Sequence, residues 1–251
     1  MSRFPLLRPS VAVVAVAAVA GCGPSDTPEQ PSSTTSSTRT SATSSSTTTL
    51  PPVNDAARAA GFVDVRTVVP DAVIDLRYAT PNNFVGVALY PENARCLVHE
   101  SMAPGLAAAS ATLREHGERL VFWDCYRPHS VQQRMFDRVP NPAWVAEPGP
   151  YSRSHEAGRS VDVTLAAPTP TCLTPRVDDL CPTDMGTDFD AFTPQAGAFA
   201  VEGVSAAARA ARARLRTAMA ANGLSVYAGE WWHFDGPGAD VERPIIDVPL
   251  T

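Results

Sequence analysis

The chain has 251 residues, 44% of them hydrophobic, and a formal net charge of -6 from 20 basic and 26 acidic residues. That length holds one sizeable domain or two small ones. The acidic balance argues against nucleic acid as a partner, and every basic residue is arginine, a bias of base composition rather than of binding.

Residues 1–21 read as an export signal. Arg3 and Arg8 form a basic flank, Val11 to Ala20 is an unbroken run of Val and Ala, and Val19-Ala20-Gly21 supplies small residues for cleavage. Ten apolar residues are too few for a permanent membrane-spanning helix. With Cys22 directly after them, the segment resembles a bacterial lipoprotein signal. That resemblance implies lipidation at Cys22, a membrane anchor and an extracytoplasmic location, against the alternative of an ordinary secretory peptide with an incidental cysteine. Removing Arg3 and Arg8 takes the charge from -6 to -8.

Residues 22–52 read as a disordered tether. From Pro31 to Thr49, sixteen of nineteen residues are Ser or Thr, too polar to offset chain entropy by burial. Four cysteines remain beyond Cys22, and an even count in an exported chain favours disulfides over metal thiolates. Cys172 and Cys181 enclose a short loop and form the easier pair, leaving Cys96 with Cys125.

The folded domain is expected over 53–251. Asp55 to Ala60 reads as a short helix stopped by Gly61. Phe62 to Val65 and Val73 to Arg77 alternate apolar and polar residues as half-buried strands do. Ala103 to Glu115 is a helix ending at His116-Gly117, and His116 is a residue of that helix terminus. Arg119 to Cys125 is apolar on both faces and reads as a central strand. Pro128 ends it, and Ser130 to Arg138 reads as a helix with Ser130 as N-cap. The prolines between 140 and 150 mark a loop. Gly158 to Leu165 turns from loop into strand, with Val161, Val163 and Leu165 alternating against Asp162 and Thr164. A long excursion over 166–203 is of a size usually tied to function. Ser205 to Ala221 is the clearest helix, closed by Asn222-Gly223, before two last strands at Leu224–Tyr227 and Trp231–Asp235. Strands and helices mix without regular βαβ alternation, so the class is α+β: one domain with a central, largely antiparallel sheet flanked by helices.

Two histidines stand out at loop–strand junctions with a carboxylate close by. His155 lies seven residues before Asp162, and His233 three residues after Glu230. Asp162 sits on the polar face of an apolar strand, where an unpaired buried carboxylate is costly unless a cation, hydrogen bonds or water meet it. Two His, one Asp and a spare Glu are the components of a catalytic zinc centre with an open position and a base; the alternative for Asp162 is a salt bridge. Trp231 and Trp232 either wall such a site or pack the core. His99 and His129 have no patterned partners and carry no function.

The stretch Ser154-His155-Glu156-Ala157-Gly158-Arg159-Ser160-Val161-Asp162 together with Glu230-Trp231-Trp232-His233 resembles the zinc D-alanyl-D-alanine dipeptidase family, whose best-known member acts in vancomycin resistance. Further segments match in order: Ile74 to Thr80, Asn83 to Gly86, Trp123 to Pro128 and Asp184 to Asp190. The resemblance covers roughly residues 62 to 250. It implies one Zn2+ per chain held by His155, Asp162 and His233, with Glu230 as the catalytic base. It also implies Arg127 as the cation facing the developing oxyanion, with an ion pair to Asp124 as the alternative or accompaniment. Tyr78 and Asp190 would hold the ammonium of a short D-peptide, and the excursion ending near Asp190 would form a wall or lid of the pocket. Arg153 stands where the family usually has Ser, and Ser160 where it usually has Ala. If position 153 faces the substrate carboxylate, Arg153 offers a bidentate cation instead of a hydroxyl. The implied activity is zinc-dependent hydrolysis of D-alanyl-D-alanine or a similar short D-peptide in cell-wall metabolism. The competitors are a D,D-carboxypeptidase or endopeptidase acting on peptidoglycan stems, and a non-catalytic wall-binding lipoprotein.

Overall fold

Asn54 starts the folded chain by capping the first helix, α1 (Asp55–Ala59): its side chain accepts from the Ala57 N–H at 2.8 Å. In this computed structural model residues 50–251 are described. The expected signal at 1–21, the lipidation of Cys22 and the tether through residue 49 lie outside the described residues. Among the described residues no helix is long and apolar enough to cross a membrane.

Strand β1 (Phe62–Asp64) follows α1, and β2 (Val73–Ile74) is shorter than the alternation of residues 73–77 predicts. The reason lies in Asp75. Its carboxylate accepts from Trp123 Nε1 and Arg77 Nε, and the chain then tightens into a 3-10 turn at Arg77–Ala79. Strand β3 (Leu97–His99) was not legible in the sequence; it pairs antiparallel with β1 in a separate two-stranded ribbon. Helix α2 (Ala103–Arg114) carries a proline in its first turn, where no intrahelical N–H is lost. Strand β4 (Arg119–Asp124) leads to α3 (His129–Arg138). Pro128, not Ser130, is the N-cap of α3. Asp247, 117 residues away from Ser130, does the capping instead, accepting from the Ser130 N–H at 3.1 Å and its hydroxyl at 2.8 Å.

Strand β5 (Ser160–Ala167) is followed by the excursion, within which β6 (Cys181–Pro182) adds to the end of β5. Helix α4 (Ala206–Ala220) is capped by Ser205, and the short strands β7 (Ser225–Val226) and β8 (His233–Asp235) close the fold. The main sheet runs β2-β4-β5-β8-β7, with β6 beside β5. Only its β2–β4 pair is parallel. The class is therefore α+β with a largely antiparallel central sheet, and β4 is an interior strand as its two apolar faces predict. Helices α2 and α4 pack on each other, and on β4 and β7 respectively.

Strand β5 departs from the expected half-burial: from Ser160 through Ala166 every residue is buried. It lies between β4 and β8, so Asp162 and Thr164 enter the interior with the valines. Trp231 and Trp232 are also core residues, 2% and 1% exposed, with the Trp231 indole N–H donating to Thr187 at 2.8 Å. Both disulfides form as the cysteine count predicts, Cys96–Cys125 and Cys172–Cys181.

Candidate active site

Three neighbouring strands build the floor of the site. Asp162 on β5 pairs in register with Asp124 on β4 and with His233 on β8, so the three side chains share one face of the sheet. Asp124 reaches that face through a register shift between Phe122 and Asp124. In a regular ladder it would point with Phe122 to the other side; one extra residue re-aims it. His155 comes from the 3-10 turn Ser154–Ala157 ahead of β5. Gly158 closes that turn at φ +62°, and a Cβ there would lie 2.5 Å from the Phe62 ring. Only glycine meets both demands.

His155 Nε2, His233 Nδ1 and Asp162 Oδ1 converge. The two ring nitrogens are 3.1 Å apart, and they lie 3.2 and 3.1 Å from the carboxylate oxygen. The far nitrogens are committed to acceptors. His155 Nδ1 donates to the Cys125 carbonyl at 2.8 Å, and His233 Nε2 to Asp235 Oδ1 at 3.0 Å. Each ring thus turns a lone pair toward the other and toward a carboxylate. That donor set suits a metal cation: two imidazoles oriented by hydrogen bonds on their outer nitrogens, and one carboxylate. The same need for positive charge shows in the titration of these side chains. Burial lowers the His233 pKa, but hydrogen bonds to Asp162 and Asp235 outweigh it and push it up to about 10. Burial likewise works against the Asp162 charge, yet the two imidazoles hold that carboxyl well below the usual range. Among the described residues, His155, Asp162 and His233 are the group of side chains able to hold a metal ion.

Glu230 stands beside them, 3.9 Å from His233 Nδ1, on a turn closed by its N–H bonding to the Tyr227 carbonyl. Burial pushes its carboxyl above the ordinary value despite the pull of His233. Arg127 follows β4, and its guanidinium donates from Nε and Nη2 to Asp124 at 3.0 and 2.6 Å and from Nη1 to Gln132 at 2.7 Å. The expected Asp124 pair is therefore present. Burial opposes the Arg127 charge and Asp124 more than restores it. The Tyr78 hydroxyl donates to Asp190 Oδ2 at 2.8 Å. Burial, with the Asp162 charge adding to it, pushes the Asp190 carboxyl well above the usual range. Asp190 is held at φ +54°, a backbone state that a non-glycine residue adopts at some expense.

All eight site residues singled out from the folded part of the sequence, Tyr78, Arg127, Arg153, His155, Asp162, Asp190, Glu230 and His233, line one cleft of about 470 Å³. Arg153 is exposed at its rim, with its guanidinium 5.5 Å above the Tyr151 ring. The aromatic walls are Tyr78, Phe84, Trp144, Tyr151 and Tyr227, not Trp231 or Trp232. Of the long excursion only Asp190 lines the cleft. Sequence reasoning missed Asp235, Gln132 and the Cys125 carbonyl. Asp235 had a signal, since two residues after His233 on a strand it must share the same face. His129, given no role, pairs through Nδ1 with Glu156 at the cleft edge.

Comparison with known proteins places the chain in a family. Residues 58–251 match the D-ala-D-ala dipeptidase family. The chain is 32% identical over 178 residues to a D-alanyl-D-alanine dipeptidase of Escherichia coli, covering 71% of this chain and 86% of that one. It is 27% identical over 195 residues to one of Enterococcus faecium, covering 69% and 90%. To one of Streptomyces coelicolor it is 29% identical over 200 residues, with the same coverage. With most of its length matching the family and its relatives, the protein belongs to the D-ala-D-ala dipeptidase family of peptidases.

Proposed function

We propose that the protein is a zinc-dependent dipeptidase that hydrolyses D-alanyl-D-alanine or a similar short D-peptide outside the cytoplasm. The observation that carries the reading is the pair of oriented imidazoles meeting Asp162, with Glu230 and Arg127 in the same cleft. A zinc ion held by His155 Nε2, Asp162 Oδ1 and His233 Nδ1 would act as a Lewis acid on the peptide carbonyl and bring the pKa of a water to roughly 7. Glu230, its proton affinity raised by burial, takes the proton of the attacking water and passes it to the leaving amine. Arg127 keeps one free N–H on each terminal nitrogen after bonding Asp124 and Gln132, and these meet the oxygen on which negative charge develops.

Asp190 and Tyr78 receive the substrate ammonium, whose charge offsets the unfavourable burial of the Asp190 carboxylate. An ammonium seated there leaves no room for a longer N-terminal side, which favours dipeptides over peptidoglycan stems. Arg153, at the rim and without a carboxylate partner among the described residues, receives the free C-terminal carboxylate. The sequence of residues 1–22 supports export with a lipid anchor at Cys22, so that the enzyme meets dipeptide released during wall turnover.

The test is metal analysis with parallel assays on D-alanyl-D-alanine and a stem pentapeptide. The expected result is one zinc per chain and dipeptide hydrolysis, with Glu230→Gln keeping zinc and losing about 10²- to 10⁴-fold in kcat. Release of D-alanine from the pentapeptide alone would overturn the substrate. A Glu230→Gln protein as active as wild type would overturn the mechanism.

A further inference from the structure

Arg127 has five N–H donors, and the direction of the two left free decides whether they meet a developing charge. Asp124 fixes one edge of the guanidinium, taking both Nε and Nη2 on a single oxygen, Oδ2. Contact through one oxygen leaves the plane free to swing about it. The opposite edge is held by Gln132, whose Oε1 accepts from Nη1 at 2.7 Å. Gln132 belongs to α3 and is only 3% exposed. Its Nε2 donates to the Ala146 carbonyl at 2.6 Å. The amide orientation is set by chemistry, because a flip would set N–H against N–H on one side and oxygen against oxygen on the other.

Ala146 is part of the proline-rich loop 140–150, which lines the cleft. On the same loop Trp144 stacks on Phe192, with centroids 4.8 Å apart and planes at 4°. Phe192 lies two residues beyond Asp190, the acceptor of the Tyr78 hydroxyl, and the Tyr78 ring lies 5.2 Å from the Arg127 guanidinium carbon. A closed circuit of contacts therefore runs from Arg127 through Gln132, the loop, the stacked rings, Asp190 and Tyr78 back to Arg127.

We propose that Gln132 is a positioning residue: it locks the plane of the Arg127 guanidinium and couples it to the loop 140–150. The inference rests on the role of Arg127 given above. Both ends of the Gln132 amide are committed to the protein, to Arg127 and to Ala146, so its removal acts on turnover more than on binding. Gln132→Met, close in length but without either polar contact, is expected to lower kcat about 10- to 100-fold with KM changed less than about threefold and zinc content unchanged. Gln132→Glu keeps the acceptor for Nη1 and loses the donor to Ala146, and is expected to recover part of that loss. In an Arg127→Lys background, Gln132→Met should add less than about twofold. Should Gln132→Met fail to fold, Gln132→Asn, too short to span both contacts, reads out the same loss.

The assays use whichever of the dipeptide and pentapeptide the wild-type protein turns over, beside ¹⁵N NMR of the Arg127 guanidinium. Hindered rotation should give resolved Nη signals in wild type that average in Gln132→Met. Wild-type kcat in Gln132→Met, an equal loss in both backgrounds, or unaltered Arg127 signals would each overturn the proposal. A wild type inactive on both peptides overturns the hydrolase reading instead, and the Arg127 signals still decide the role of Gln132.

Discussion

Asp235 makes the sharpest demand on the metal reading. His155 is oriented by a backbone carbonyl that no substitution removes, whereas His233 is oriented by a side chain, the Asp235 carboxylate 3.0 Å from Nε2. That carboxylate fixes which His233 nitrogen carries the proton and makes Nδ1 a stronger donor. Loss of such a hydrogen-bond partner lowers metal affinity about 10- to 100-fold, which is about 1.4–2.7 kcal/mol. Asp235→Asn keeps a neutral acceptor of the same shape for both His233 Nε2 and the Ser160 hydroxyl, which share Oδ1, so it should fall at the lower end; Asp235→Ala should fall at the upper end. The assay is zinc competition against a chelator of known affinity, with circular dichroism to confirm folding. A folded Asp235→Ala protein that binds zinc within about threefold of wild type refutes the assignment of Nδ1 as the ligand atom.

Cys96–Cys125 closes a loop of sequence separation 29, and its removal by paired Ser substitution should cost about 3.6 kcal/mol by the chain-entropy relation. That predicts a Tm lower by about 7–14 °C, and an unchanged melting curve would refute it. Asp64 is buried between Arg66 and Arg95; burial raises its pKa, but the two guanidiniums outweigh it and leave it below the usual value. A depressed carboxyl stabilises the fold above its unfolded pKa of about 4 and loses that contribution as pH falls through the folded value. The melting difference between wild type and Asp64→Asn should therefore be large at pH 7 and shrink below pH 4; a difference constant to pH 2 contradicts this. Arg153→Ser should raise KM for the dipeptide about tenfold with kcat nearly unchanged, and weaken discrimination against a C-terminal amide. Steady-state kinetics on both substrates decide it, and an unchanged KM removes Arg153 from the site.

The residues of the cluster were legible because each combines a chemistry-bearing side chain with a strand or turn signal next to it, as at His155, Asp162 and His233. What escaped depends on partners distant in sequence. Asp247 caps α3 from the far end of the chain, and no local pattern near Ser130 reveals it. Strand β3 is three residues long and exists because β1 pairs with it. The burial of Asp162 contradicts the alternation of β5, since only the neighbouring strands decide which face meets solvent. Gln132 reads as an ordinary helix residue until the fold sets it between Arg127 and Ala146.

The register shift between Phe122 and Asp124 has a consequence for anyone transplanting this centre. Copying the side chains onto an even ladder would turn Asp124 inward and strip Arg127 of its anchor, although every residue type were kept. Residue count along β4 is thus as much a component of the site as residue identity. Deleting Trp123 would even the ladder and leave Asp124 opposite Asp162, but it would remove the indole that donates to Asp75, so the extra residue is held in place from the neighbouring strand end.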